Sequence, residues 1–255
     1  GGGGGVIAGE IVANANPDGY TLLVAAVAVM TGTGSLQKLP FDPIKDFAAV
    51  GLYASMPLVL LVNAQLPVKS VADLIALAQS KSGNVNFASG GVGGAPHLVG
   101  ELFKLVTGAP IQHIAYKGSA PAAADLASGQ VQMQFDAILP QLPHLKTGRT
   151  RILAVLSPKR LPIAPDAPTM AEIGLAKVSG SVWYGLVMPA QTPKAIIDRV
   201  NAESNRALAL PEIKERLSTM GIDTASGSPE DFARFIREEI ARWGPVVKAA
   251  GIQPE

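Results

Sequence analysis

Apolar positions along the chain fall into short unbroken runs separated by glycine, proline and polar punctuation, and from residue 84 onward the runs alternate with helix-period segments. Val6–Ala13 reads as a short helix, "NPDGY" (16–20) as a turn, and "YTLLVAAVAV" (20–29) as a buried strand with no polar face. "KLPFDPIKDF" (38–47) is a Pro-punctuated loop, and 49–67 reads as two extended pieces about Pro57. Ser70 opens a helix to Ser80 with a capping box to Asp73. Strand Asn84–Ala88 then feeds a glycine loop and a helix Pro96–Val106, closed by Gly108, with Leu98, Leu102 and Leu105 as its apolar stripe. Strand Ile111–Tyr116 feeds a loop and a short helix ended by Gly129. Strand Val131–Phe135 feeds Asp136 and a helix through His144, and strand Arg151–Leu156 follows. Thr169 and Glu172 form a further capping box. "VWYGLVMPA" (182–190) is a strand, and the remainder is helical: Pro193–Ala209, Pro211–Met220 and Pro229–Ala250, the last opened by Ser228 and interrupted near Gly244-Pro245.

Alternating β and α elements imply an α/β fold with a mainly parallel sheet and helices on both faces. The extended stretch at 49–67 and the return at 182–190 suggest a chain that crosses twice between two lobes. Residues 1–56 with 183–255 would form the first lobe, incomplete at its N-terminal end, and residues 57–182 the second.

Composition narrows the function. The 255 residues are 48% hydrophobic and 16% charged, which describes a well-buried globular chain. The net charge is +1 with Lys and Arg scattered, so nothing resembles the clustered basic face of a nucleic-acid binder. The chain has no cysteine, which excludes a disulfide framework, a thiolate nucleophile and a thiolate zinc site. The longest apolar run, Leu52–Val62, carries Pro57 and falls short of the ~18 residues of a membrane span. "GGGGGVIAGEIV" has no basic n-region, so it is not read as a signal peptide, and the chain is expected to be a mature product or a fragment with a segment upstream.

The most unusual stretch is "FASGGVGGAPHL" (87–98), with Gly90, Gly91, Gly93 and Gly94 in five positions. A phosphate loop would need Lys then Ser/Thr after its last glycine, and neither is present. The dinucleotide spacing is broken at Pro96. A third reading is an anion site of backbone N–H groups: glycines let the backbone approach a ligand, Pro96 costs no needed donor, and a helix N-terminus supplies unpaired N–H groups with the positive end of its dipole. A ligand-free strand-to-helix turn is the fourth reading. "GGAP" (93–96) is echoed by "GSAP" (118–121), again between a strand and a helix. Two helix N-termini at neighbouring strand ends would face one crevice, and Asp136, after its own strand, should reach the same rim or end its strand in solvent.

Candidates for catalysis are sparse. The three histidines, His97, His113 and His144, have no metal-ligand spacing; His97 suits packing or capping, and His113 a surface or edge position. No G-x-S-x-G elbow occurs. Trp183 falls on the second crossing strand, where core packing is the default and ligand contact the alternative; Trp243 reads as core.

Several segments together carry a resemblance: "NPDGYTLL", "KLPFDPIKDF", "FASGGVGGAPHLVGELF", "AYKGSAPAAADLASGQV", "FDAILPQLPHLKTGR", "PDAPTMAEIG", "VWYGLVMPAQTP" and "RWGPVVKAAGI". In that order, over the whole chain, they resemble the Bug-type substrate-binding proteins of tripartite tricarboxylate transporters. The resemblance implies a two-lobed, type 2 (Venus-flytrap) periplasmic-binding-protein fold with two crossing strands. It implies capture of a small organic carboxylate between the lobes, delivery to membrane permease subunits, a periplasmic location, a monomer, no cofactor, no metal and no enzymatic activity. It places the second-lobe pocket at Ser89, Gly91, Gly93, Gly94 and Ala95, at Lys117, Gly118 and Ser119, and at Asp136. Against that resemblance, the chain is expected to lack the family's first strand and its Pro/Gly-rich loop. Small hydroxyl residues that the family carries after the strand matching Tyr20–Val24 are replaced by Ala25–Ala28, so Ala26 and Ala28 are expected to give an apolar wall and the ligand to be a monoacid with a less polar remainder than citrate. An α/β enzyme with Asp136 as base, and a sensor without a transport role, are the alternative readings.

Overall fold

The computed structural model describes residues 5–32, 39–80 and 83–252. In chain order the elements are α1 (Val6–Ala13), β1 (Leu23–Ala26), β2 (Phe47–Asn63), α2 (Val71–Gln79), β3 (Asn86–Ser89), α3 (Ala95–Thr107), β4 (Gln112–Ala115), α4 (Ser119–Ser128), β5 (Met133–Ala137), α5 (Leu142–Lys146), β6 (Thr150–Val155), β7 (Ser181–Pro189), α6 (Lys194–Ala209), α7 (Pro211–Thr219), β8 (Asp223–Thr224) and α8 (Pro229–Ala250). They divide into two compact units, Gly1–Met56 with Trp183–Glu255, and Pro57–Val182.

In the first unit β1 runs antiparallel to β7, with Leu23 opposite Val187 and Ala26 opposite Tyr184. The first half of β2 neighbours β7 and pairs antiparallel with β8. The strand expected over 20–29 is shorter than its apolar run. Val24 on β1 is exposed, and Ala28–Gly32 wind into a π-helical turn whose Thr31 hydroxyl donates to the Val27 carbonyl at 2.7 Å. An apolar run alone does not distinguish strand from buried helical turn. The core gathers Trp183, Phe232 and Trp243, all essentially buried, with Trp183 edge-on to Phe232 at 5.8 Å. Helix α8 is capped by the reciprocal Ser228–Asp231 pair and continues through Pro245 without the expected break. A proline deletes one helical hydrogen bond and strains one turn, and the buried Trp243, Val246 and Val247 on either side hold the helix to the core.

In the second unit the later half of β2 supplies Leu58–Val62, fully buried, antiparallel to β5 and β6. Strand β2 is continuous through Pro57, against the expected division into two pieces. Pro57 lies between the β8 register, which ends at Ser55, and the β5 register, which begins at Leu58, so its missing N–H removes no bond of either ladder. Strand β3 pairs parallel with both β4 and β5. The sheet is therefore mixed, with the long β2 antiparallel to β5, β6 and β8. Helix α2 begins at the expected Ser70–Asp73 box. The Thr169–Glu172 box also forms, at 2.6 and 3.1 Å, around a turn.

Helix α3 starts at an extended Gly94 and ends at Gly108, φ +68°, where a left-handed residue closes the helix. Its buried face is Leu98, Val99 and Phe103, the last against Phe135 at 5.6 Å, while Leu105 of the expected stripe is exposed. Gly100 lets α3 settle on Phe87 of β3: a Cβ there would stand 2.1 Å from the ring. Gly100→Ala is therefore expected to destabilise the second unit by roughly 1–3 kcal/mol through overpacking, despite alanine's better helix propensity. Urea unfolding measures it, and an unchanged midpoint would contradict this packing.

Candidate functional site

Three strand ends of the second unit build the site. From β3 the chain leaves Ser89 into the glycine turn, and Gly91 and Gly93 adopt φ +147° and +76°, which glycine alone tolerates easily. From β4 it passes Tyr116, exposed Lys117 and Gly118, φ +107°, into α4. Because β3 and β4 are parallel neighbours, these two exits lie side by side. They touch through backbone: Gly118 N–H donates to the Gly90 carbonyl at 3.0 Å, and a Cβ on Gly90 would meet Gly118 C and Ser119 N at 3.0 Å each.

The turns that lead into α3 and α4 thus touch at Gly90 and Gly118. In α3 the N–H groups of Gly94, Ala95 and His97 precede the first intrahelical bond, from Leu98 N–H to the Gly94 carbonyl at 3.0 Å; Pro96 brings no donor. In α4 the corresponding groups are those of Ser119 and Ala120, since Pro121 has none. Two of the amides in the glycine turn are already occupied. Gly91 N–H donates to Ser89 Oγ at 3.3 Å and Gly93 N–H to His97 Nδ1 at 3.1 Å. Of the glycines singled out from sequence, Gly91 and Gly93 therefore shape the turn, and the N–H groups outside the intrahelical ladder come one step later, at Gly94 and at the buried Ala95 and His97.

Asp136 lies inside β5, not after it, and is 3% exposed, so it is no solvated strand end. Its Oδ2 accepts from Ser119 Oγ, from Gln134 Nε2 at 2.9 Å and from Gln141 Nε2 at 3.1 Å; its Oδ1 accepts from Ala137 N–H at 2.8 Å. Burial pushes its carboxyl above the usual aspartate range, and hydrogen bonds from Ser119, Gln141 and Ala137 oppose that. The arrangement ties α4's first residue to the sheet. Gln134 shares Asp136's face of β5, an i, i+2 relation visible in the sequence; Gln141 comes from the Leu139–Gln141 3₁₀ turn and is not foreshadowed there.

Behind the glycine turn His97 and His113 stack at 3.7 Å with planes 10° apart, and His113 Nε2 lies 2.7 Å from Ser89 Oγ. Strand β4 is at the end of the sheet order, as an edge position for His113 requires, but the ring itself packs against Phe87 and His97.

The remaining candidates belong to the first unit. Ala26 ends β1 and Ala28 begins the π-helical turn, both half-buried. Trp183 is 0% exposed and donates its indole N–H to Glu239 Oε2 at 3.0 Å, which also accepts from Trp243 at 3.0 Å. The indole is core, the default reading for it, and the alternative of contact with a solute has no exposed surface to occur on.

Among the described residues no cluster of His, Cys, Asp and Glu could hold a metal ion, and no helix is long and apolar enough to cross a membrane. Residues 1–252 match the family model described as the tripartite tricarboxylate transporter family receptor. Protein BugT of Bordetella pertussis is 36% identical over 252 residues, covering 98% of this chain and 77% of that one. Among solved structures, R. palustris Rpa4515 with adipate superposes with a TM-score of 0.90 at 36% identity, over 100% of this chain and 85% of that one. MatC (Rpa3494) from Rhodopseudomonas palustris with bound malate gives 0.87 at 32% identity, over 96% and 85%. The two-lobed α/β periplasmic-binding-protein fold is shared with these structures. The chain belongs to the tripartite tricarboxylate transporter family of receptors.

Proposed function

We propose that this chain captures a small carboxylate at the starts of α3 and α4 and delivers it, in the periplasm, to the permease subunits of a tripartite tricarboxylate-type transporter. The observation that supports the reading is the backbone contact of Gly90 with Gly118, which joins the turns leading into two helix N-termini. Their first-turn N–H groups offer charge-assisted hydrogen bonds of roughly 1.5–3 kcal/mol each, enough for micromolar capture after ordering costs. Lys117 is the cation within this pair of turns, and it is exposed.

The same geometry favours a ligand with one carboxylate at this point. Asp136 stands one hydrogen bond behind Ser119, so a second or third acid group close by would meet a buried carboxylate. A molecule such as adipate, its acid groups separated by an aliphatic chain, or an aromatic monoacid such as benzoate is the preferred class over citrate. Solved relatives with adipate and malate support the carboxylate class. A catalytic reading is disfavoured because Asp136 already accepts from four donors and is not poised to take a proton from a substrate.

Thermal-shift and calorimetric titrations with adipate, benzoate, malate and citrate test this. A bound acid at a hundredfold excess over its Kd should stabilise the protein by about 2.7 kcal/mol and be recovered unaltered by NMR. Citrate binding most tightly would contradict the ligand class, and a chemically changed acid would contradict capture.

A further inference from the structure

We propose that His97, backed by His113, is a positioning residue for the carboxylate site: a neutral imidazole that holds the glycine turn in its binding shape without placing a negative charge beside the bound acid. The inference rests on the capture reading above and adds to it the group that sets the site's shape.

Helix α3 has Gly94 as its N-cap, which places His97 at the third helical position. In an ordinary capping box that position carries Glu or Gln, whose side chain reaches back to the N-cap N–H. Here the imidazole does the same job for the preceding residue, and Nδ1 accepts from Gly93 N–H at 3.1 Å. This bond pins the last turn residue before the donors of Gly94 and Ala95. A glutamate in the same place would hold the turn equally well, but would add a carboxylate next to an anion site. The uncharged ring avoids that.

The acceptor must be neutral to function, because a protonated imidazole has no lone pair at Nδ1. The surroundings enforce this. Burial, followed by the neighbouring His113 and Lys104, lowers His97 to about 3, and burial with Lys104 lowers His113 to about 4. Glu101, on the same helix, is 3.9 Å from His97 Nε2; burial raises it, and its other oxygen pairs with Lys104 at 3.4 Å. The stack with His113 fixes the plane of the His97 ring. His113 also reaches Ser89 Oγ at 2.7 Å, and that hydroxyl in turn receives Gly91 N–H. Both glycines with left-handed φ in the turn are thereby tied, one directly and one through Ser89, to the same pair of rings.

The test compares His97→Asn with His97→Leu. Asparagine keeps an acceptor at the δ position; leucine fills the space without one. Two readouts are taken on each: amide hydrogen exchange of Gly93 in the unliganded protein, and the Kd for adipate. Positioning predicts that His97→Leu loses at least tenfold of both Gly93 protection and adipate affinity while its Tm stays close to the parent's. His97→Asn should keep protection and stay within about threefold in Kd. Equal affinity loss in both variants, or wild-type affinity in His97→Leu, would overturn the inference. The parent's own titration separates the two claims: absence of binding to adipate, benzoate and malate alike sinks the capture reading, and the inference with it, whereas binding that is indifferent to the acceptor sinks the inference alone.

Discussion

Gly90→Ala is expected to weaken carboxylate binding by at least tenfold, about 1.4 kcal/mol, while leaving the fold intact. The residue's φ lies outside the left-handed region, so alanine meets no backbone strain of its own. The added Cβ would instead press on Gly118 C and Ser119 N at 3.0 Å, and neither is the end of a flexible side chain that can swing aside. The relief available is separation of the β3 and β4 exits. That stretches the 3.0 Å bond from Gly118 N–H to the Gly90 carbonyl and draws the α4 donors away from those of α3. An anion held by both helix starts then keeps one set of hydrogen bonds at the expense of the other. Calorimetry on parent and variant reads the effect. An unchanged Kd would mean that a single turn holds the acid.

Acid should destabilise the protein well above the pH at which carboxylates titrate. His97 and His113 have folded pKa values of about 3 and about 4 against 6.5 in the unfolded chain. A depressed histidine binds its proton in the unfolded state first, so stability falls as pH drops through 6.5 and continues to fall until the folded pKa is reached. Each group contributes up to about 1.4 kcal/mol per pH unit in that window. From pH 7 to pH 5 the pair is expected to cost roughly 2–4 kcal/mol. Asp136 and Glu101, raised by burial, act with the opposite sign, each contributing stability as pH falls through its folded pKa. Urea titrations at pH 7, 6 and 5 measure the slope, and His97→Asn should remove about half of it. A flat profile from pH 7 to 5 would contradict the burial of these rings as neutral species.

Local chemistry accounts for what could be read from the sequence and tertiary contact for what could not. The capping pairs at Ser70 and Ser228 and the left-handed glycines at 108 and 129 are decided within a few residues, and they stand where the pattern put them. The two glycine turns were legible for the same reason, and their adjacency followed from neighbouring parallel strands. Readings that assumed local rules would govern long elements fared worse. Pro57 and Pro245 sit inside elements that tertiary packing holds together, and the run at 20–29 divides between β1 and a helical turn. At the site, the stack of His97 on His113 joins a helix to a strand sixteen positions on, and the donors on Asp136 come from α4, β5 and the 3₁₀ turn after it. No spacing along one element encodes such meetings. Trp183 packs in the core, its default reading, but the partner of its N–H, Glu239, is fifty-six residues away and could not be read locally.

The most direct measurement is an adipate titration followed by amide NMR at both helix starts. Dual capture predicts that the N–H signals of Gly94, Ala95 and His97 and those of Ser119 and Ala120 shift downfield together, along one saturation curve with one Kd. Shifts confined to either set, or two sets saturating at different adipate concentrations, would contradict a single carboxylate held by both turns.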